Sequence, residues 1–403
     1  MMKRVLSLLL ILSLLIPCLA APAEEDYSLD DEILLDDEFW ADEDEDEDGG
    51  EPDEESFFIG GGDTEQMEAD LDSLERDADI DPNDLEINPN LPPHIINILL
   101  IGVDMREKDI NSSKAGLLHN DVTMILSINT ETGEIKLTSI ARDLYVPIPG
   151  YKGKSRINTA YARGSAMSVA PGVNGGAQLT MRTVNRLFEL NITQYVVINF
   201  YGLASIIDYI GGIDLNIIRG EAYAINEYLR KNGHKMPYDV KGNENRTPLV
   251  VVSKQEHESV QHLDGIQAVM YARLRSGMTS APTGDLARTG RQRYLLEQLL
   301  AKVLREMNVS QLGELIEVAY PYVKTNISAG TMLNLAVSVL QNGLLGRFSS
   351  GASLIEQHRI PMDNTYSYQT IDGDSVTVVN DASWSRNVQS VHYFIYGEYY
   401  PAH

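Results

Sequence analysis

The sequence predicts an α/β fold, a single domain with a central mixed β-sheet flanked by helices. Continuous apolar runs of strand length alternate along the chain with segments of helical period, the pattern of a sheet covered on both faces. The excess of acidic over basic residues is gathered in one block, which leaves the remainder of the chain nearly neutral. No internal repeat at solenoid periods is present, so the elements build one core rather than an array.

The 403 residues carry 32 Lys plus Arg against 59 Asp plus Glu, a net charge of −27. Residues 24–90 hold 31 acidic residues and one basic residue, Arg76, whereas residues 91–403 hold 28 acidic and 29 basic. An anionic substrate therefore suits the second region, provided its basic residues converge.

The chain starts with Lys3 and Arg4, an apolar run from Val5 to Ile16, and the small-residue stretch Ala21-Pro22-Ala23. This layout predicts a signal peptide over 1–23 with cleavage before Glu24, because a membrane span needs ~20 apolar residues. An uncleaved N-terminal anchor is the rival. Cys18, the single cysteine, argues weakly for a lipoprotein because Pro17 stands where a small residue is wanted. Cleavage would leave no cysteine for a disulfide, a thiolate metal site or a nucleophile. The expected location is extracytoplasmic, either secreted or associated with the cell surface and wall.

Residues 24–90 contain the run Asp42 to Asp48 and are expected to form a disordered acidic spacer, because self-repulsion and few apolar residues cannot offset chain entropy. The folded domain is expected over 91–403. Ile95 to Val103 is a continuous apolar run that suits a buried strand ending at Asp104. Val122 to Asn129 and Glu134 to Ile140 flank Thr130-Glu131-Thr132-Gly133 and predict a hairpin. Ala177 to Leu190 has helical spacing, Tyr195 to Phe200 strand character, and Ile206 to Ile210 helical spacing that Gly211-Gly212 ends. Further helices are predicted at Asp264 to Tyr271, Leu286 to Met307, Gln311 to Tyr322 and Thr331 to Gln341.

Several short motifs carry chemistry. They are Gly102-Val103-Asp104-Met105-Arg106, His119-Asn120-Asp121, Ser139-Ile140-Ala141-Arg142-Asp143, Arg156-Ile157-Asn158 with Tyr161, and Leu263-Asp264-Gly265 running to Tyr271-Ala272-Arg273-Leu274-Arg275. Asp285, Arg288, Arg291 and Gln292 follow. Singly, an Asp at a strand end is as readily a cap or turn residue as a ligand, and a lone Arg is usually a surface residue. Together they say more. Asp104 and Asp121 suit one hard cation such as Mg²⁺ alongside substrate phosphate. Arg273 and Arg275 face one side if that segment is extended, and Arg288 and Gln292 share a helix face with Arg291 nearby. Five or more arginines in one pocket would repel one another without a polyanion among them, and the guanidinium fork matches phosphate.

In this combination and order the motifs resemble the LytR-CpsA-Psr family of cell-envelope glycopolymer transferases from Gram-positive bacteria, over about 95–400. The resemblance implies an α/β fold with a deep hydrophobic groove for a polyprenyl lipid and a pyrophosphate site at its mouth. It implies that Asp104 and Asp121 hold Mg²⁺ and that Arg106, Arg142, Arg156, Arg273, Arg275, Arg288, Arg291 and Gln292 bind pyrophosphate. Arg142 is then the candidate for the transition-state contact, with Asp143 or Asp104 orienting or deprotonating the acceptor. Departures from the family pattern are Ala141 in place of proline, His119 where arginine is common, Arg156 where lysine is common, Val146 where some members have arginine, and a longer stretch from Ser276 to Gly284.

The implied reaction moves a polyprenyl-pyrophosphate-linked anionic glycan, of teichoic acid or capsule type, onto peptidoglycan and releases polyprenyl phosphate. The protein would meet the membrane surface through that lipid or through an uncleaved anchor. A pyrophosphatase acting on the same lipid shares every site residue, and a non-catalytic envelope-binding or regulatory protein is the rival from another class. The eight histidines lack zinc-ligand spacing and no Gly-Lys-Ser/Thr phosphate loop occurs. The acidic block and the lack of a basic recognition helix argue against nucleic acid as a partner.

Overall fold

The computed structural model describes residues 81, 83–103, 120–167, 169–170, 172–232, 247–252, 258–274, 285–306, 322–339, 342–343, 345–350 and 353–402. The signal segment, the acidic run, Asp104, Arg106, His119, Arg275, the stretch 276–284 and the helix expected at Gln311 to Tyr322, apart from its last residue, lie outside the described residues.

In chain order the elements are β1 (Ile95–Val103), β2 (Asn120–Asn129), β3 (Ile135–Ile140), β4 (Tyr145–Val146), β5 (Ser155–Arg156), α1 (Thr159–Ser165), α2 (Gly175–Phe188), β6 (Gln194–Asn199) and α3 (Phe200–Tyr209). There follow β7 (Ile213–Ile218), α4 (Arg219–Asn232), β8 (Glu258–Leu263), α5 (Gly265–Arg273), α6 (Asp285–Glu306), β9 (Val323–Thr325) and α7 (Ala329–Val339). The chain closes with α8 (Leu345–Ser350), β10 (Glu356–Ile360), β11 (Tyr366–Ile371), β12 (Asp374–Val379) and α9 (Asp381–Tyr396).

The run Ile95–Val103 is apolar without alternation because it is covered on both sides. Ile98 and Leu100 enter one core with Leu203, Ile266 and Leu299, while Leu99, Ile101 and Val103 enter the other with Val184, Phe188 and Val391. The resulting six-stranded sheet has the order β10-β3-β2-β1-β6-β9. Strands β1, β3, β6 and β10 run in one direction and β2 and β9 in the other. In the β2–β3 turn, Asn129 Oδ1 accepts from the N–H groups of Glu131 and Thr132, and Gly133 takes φ +70°.

Helix positions follow local chemistry. Asn174 and Asn199 cap α2 and α3 through their side chains, and Asp264 and Gln267 form a reciprocal capping box on α5. The strand character read through Phe200 ends one residue earlier, because the Asn199 cap starts α3 at Phe200. Helices α1 and α2 touch through Gly164 and Gly175, where a Cβ on Gly164 would stand 2.3 Å from the Gly175 carbonyl oxygen. That approach is open only to glycine.

Packed chain begins before residue 91. Asn88 is buried and donates through Nδ2 to the carbonyls of Glu189 and Tyr400, and Asn185 Nδ2 reaches the Leu85 carbonyl. Residues 83–90 therefore belong to the folded body and not to the acidic spacer. Their acidity is met locally, since Glu86 pairs with Arg182 at 2.7 Å.

One partly buried group makes stability depend on pH. His358 in β10 lies against Ser390 Oγ at 3.0 Å and stacks on Phe394, and burial followed by the Arg359 charge pushes it down to about 4 from 6.5. The unfolded chain takes up this proton first, so stability present above pH 6.5 is lost as pH falls toward about 4. The effect is about 3 kcal/mol. Urea unfolding of His358→Gln beside the wild type is expected to show the stability gap between them narrowing by that amount over this window. A gap independent of pH would contradict the assignment.

Candidate active site at the carboxyl ends of the sheet

The four co-directional strands end on one side of the sheet, and the charged motifs follow or face those ends, the usual position of ligands in open α/β sheets. Asp121 sits at a bulge. Gly102 pairs with Val122 and Val103 with Asn120, so Asp121 is an extra residue in the β2 ladder. Such bulges re-aim side chains beside functional sites.

Arg142 lies two residues beyond β3, where the chain turns: Ala141 N–H donates to the Ile360 carbonyl and Leu144 N–H to that of Ala141. This turn brings Arg142 Nη1 to Asp121 Oδ1 at 2.6 Å. The pair is partly buried, with side chains 23% and 16% exposed, so it is screened less than a surface pair. Asp143 is oriented from another element, since Thr377 of β12 donates its hydroxyl to Asp143 Oδ2 at 2.8 Å and its N–H to the Asp143 carbonyl at 2.9 Å. Arg156 in β5 pairs with Asp374 of β12 at 3.3 Å.

Arg273 approaches from the far side of β1. It is the last residue of α5, not part of an extended segment, and its guanidinium lies 4.7 Å from the ring centre of Phe200, which directly follows β6. Since β1 separates β2 from β6, the strand that carries Asp121 and the strand that leads into Phe200, the ring Arg273 lies over, are about 10 Å apart, two strand spacings.

Arg291 and Gln292, expected to bind pyrophosphate, are engaged by hydrogen bonds within the fold. Both are buried in α6, where Gln292 Nε2 donates to the Ala272 carbonyl at 2.9 Å and Arg291 donates to the Leu274 carbonyl at 2.8 Å and to Glu221 Oε1 at 3.2 Å. They bracket Arg273 by satisfying carbonyls at a helix end that has no intrahelical donors for them. Burial pushes the Glu221 carboxyl up, and the Arg291 charge counteracts this. The side chain of Arg288, one turn earlier on α6, lies outside the described residues, as do Asp104, Arg106 and Arg275.

Of the residues named from sequence, the structure thus brings together Asp121, Arg142, Asp143 and Arg156, and places Arg273 across β1. Sequence reading missed Thr377 and Asp374. The dipeptide Asp372-Gly373, both at positive φ in the tight β11–β12 turn, was the signal for their hairpin. No group of three or more His, Cys, Asp or Glu side chains gathers as a metal site among the described residues, and Asp121 itself offers one carboxylate, a hard oxygen donor of the kind Mg²⁺ takes, already paired with Arg142.

The chain is 30% identical over 240 residues to a polyisoprenyl-teichoic acid--peptidoglycan teichoic acid transferase TagU of Oceanobacillus iheyensis, covering 60% of this chain and 61% of the relative. It is 28% identical over 287 residues to the Enterococcus faecalis protein of that name, covering 70% and 77%. The match therefore spans less than two thirds of the first relative's length. The crystal structure of B. subtilis TagV superposes with a TM-score of 0.51 at 20% identity over 77% of this chain and 100% of that one, a likeness of fold. The model of the LytR_cpsA_psr family matches residues 62–386, and the chain belongs to that family.

Proposed function

We propose that the protein is a transferase that moves an anionic glycopolymer, of teichoic acid or capsule type, from a polyprenyl pyrophosphate carrier to peptidoglycan. The observation that carries this reading is the Arg142 and Asp121 pair, held at the ends of β3 and β2 with Asp143 and Arg156 anchored around it by one hairpin. The names of the relatives, which describe teichoic acid transfer to peptidoglycan, support the same reading.

An acceptor hydroxyl oxygen forms a bond to the glycan-side phosphorus. The bond from that phosphorus to the bridging oxygen breaks, and polyprenyl phosphate leaves. Arg142 meets the charge that develops on the phosphoryl oxygens, and Arg156 and Arg273 meet the remaining phosphate charge. Preorganised charge and positioning account for most catalysis in such transfers. Asp143, its carboxylate oriented by Thr377, or Asp104 accepts the acceptor's proton. Asp121 and Asp104 would hold Mg²⁺, which when bound supplies further neutralisation of phosphate charge. Arg291 and Gln292 set the backbone on either side of Arg273. The lipid chain is assigned to an apolar groove. The reading places the protein outside the cytoplasmic membrane, held at its surface by the lipid substrate or by an N-terminal anchor.

The test incubates the full chain with a polyprenyl-pyrophosphate-linked glycan and a peptidoglycan oligomer, with Mg²⁺ or with EDTA. Mass spectrometry is expected to show glycan phosphodiester-linked to the oligomer in the Mg²⁺ sample and its loss with EDTA. Free glycan phosphate as the sole product would replace the transferase by a pyrophosphatase. Lipid binding with no product would replace it by a binding protein.

A further inference from the structure

The motifs His119-Asn120-Asp121 and Arg156-Ile157-Asn158 each give the site a charged residue, and each also holds an asparagine with no part in the proposed reaction. Asn120 is fully buried and Asn158 is 5% exposed. The Oδ1 atom of neither has a hydrogen-bond partner among the described residues. Buried acceptors are nearly always paired, and an unpaired one is destabilising.

Local structure does not account for them. Asn158 stands at the N-cap of α1, where asparagine normally accepts an N–H of the first turn, yet its side chain makes no capping bond. At Asn120 the amide orientation is determined, because Nδ2 donates to the Val122 carbonyl and to Thr123 Oγ1. Turning the amide over would set oxygen against carbonyl oxygen, so Oδ1 is the end left over.

Both residues belong to the frame of the site. The Asn120 N–H donates to the Asn158 carbonyl at 3.4 Å, and the Asn158 N–H donates to the Arg142 carbonyl at 3.1 Å. The bulge at Asp121 turns Asn120 to the side of Thr123, whose ladder partner Ile140 stands two residues before Arg142.

Two neutral acceptors next to an already paired Arg142 and Asp121 select a ligand. A phosphate would bring its own acceptor oxygens against them. A hydroxyl donates its proton to a carboxamide oxygen and keeps its lone pairs for attack. We propose that Asn120 and Asn158 form a subsite that receives a sugar hydroxyl of the peptidoglycan acceptor and holds it beside Arg142 and Asp121. This rests on the transferase reading and adds to it the place of the acceptor.

Asn158→Ala tests it in the full chain. The side chain makes no capping bond and its Oδ1 has no partner among the described residues, so its removal is expected to leave Tm at or above that of the wild type. Calorimetric titration with a peptidoglycan oligomer is expected to give an affinity about tenfold or more below wild type, because a buried acceptor has lost its donor. The KM for the oligomer in the transfer assay is expected to rise by a similar factor, while the Kd for the lipid donor stays within about twofold. Unchanged oligomer affinity would overturn the proposal. So would a shift in Mg²⁺ requirement without one in oligomer affinity, or a fall in Tm with both affinities falling together. A wild type that binds the oligomer through Asn158 but forms no phosphodiester would sink the transferase reading and leave the subsite standing. Normal transfer with unchanged oligomer KM in Asn158→Ala would do the reverse.

Discussion

Arg142→Ala is expected to lower the rate of glycopolymer transfer by about 10²- to 10³-fold, the usual effect of deleting one preorganised donor at a developing oxyanion. The fold is expected to survive, because the Asp121 carboxylate left behind keeps 16% of its side chain exposed and so retains contact with solvent. Arg142→Lys should recover only part of the rate: a lysine keeps the charge but lacks the rigid planar fork that pairs with two phosphate oxygens at once. Turnover assays alongside thermal unfolding check both statements. Wild-type turnover by Arg142→Ala would remove Arg142 from the reaction, and a collapse in Tm would make it a structural residue.

Arg291→Met is expected to lower stability by about 3–5 kcal/mol, the range for leaving one member of a buried ion pair alone. It strands Glu221, whose side chain is 8% exposed, and removes the donor to the Leu274 carbonyl. The pH dependence gives a signature. With burial raising the Glu221 carboxyl and no guanidinium to oppose it, the folded-state value lies above the unfolded one. Stability is then present below the unfolded value and lost as pH rises through the folded one. The deficit of Arg291→Met should accordingly be larger at pH 8 than at pH 5, and adding Glu221→Gln should reduce it at pH 8. Weaker lipid binding at unchanged stability would instead restore Arg291 as a pyrophosphate ligand.

These two arginines show where sequence stops informing. Arg142 was legible because it directly follows a strand-like run and shares a motif with Asp143. Arg291 was placed on the correct helix by periodicity, but spacing states which residues share a face and not what that face meets. Here the neighbours are the carbonyls of residues 272 and 274, set by how α6 crosses the end of α5. The same limit hid Thr377 and Asp374, more than 200 residues from the side chains they hold.

The fold was more legible where burial is two-sided. The run Ile95–Val103 declares itself because both of its faces are covered. In β7, Ile213, Leu215 and Ile217 alternate with Asp214 and Asn216, a readable strand pattern to which the sequence analysis assigned no element. Its partner β8 exposes Val260 at 73% and buries the polar Gln261, which reverses the usual correspondence of apolar with inside. Gln261 is buried because it bonds the Val250 backbone in both directions, a long-range reason absent from the local pattern.

The measurement that tests the central claim most directly is a crystal structure of the full chain with a short polyprenyl pyrophosphate and Mg²⁺. The account predicts the pyrophosphate at the carboxyl ends of β1, β3 and β6, within hydrogen-bond distance of the Arg142 guanidinium, with Arg273 on the same ligand and Arg291 still on Glu221. A pyrophosphate bound away from these strand ends, with Arg142 and Asp121 untouched, would contradict it.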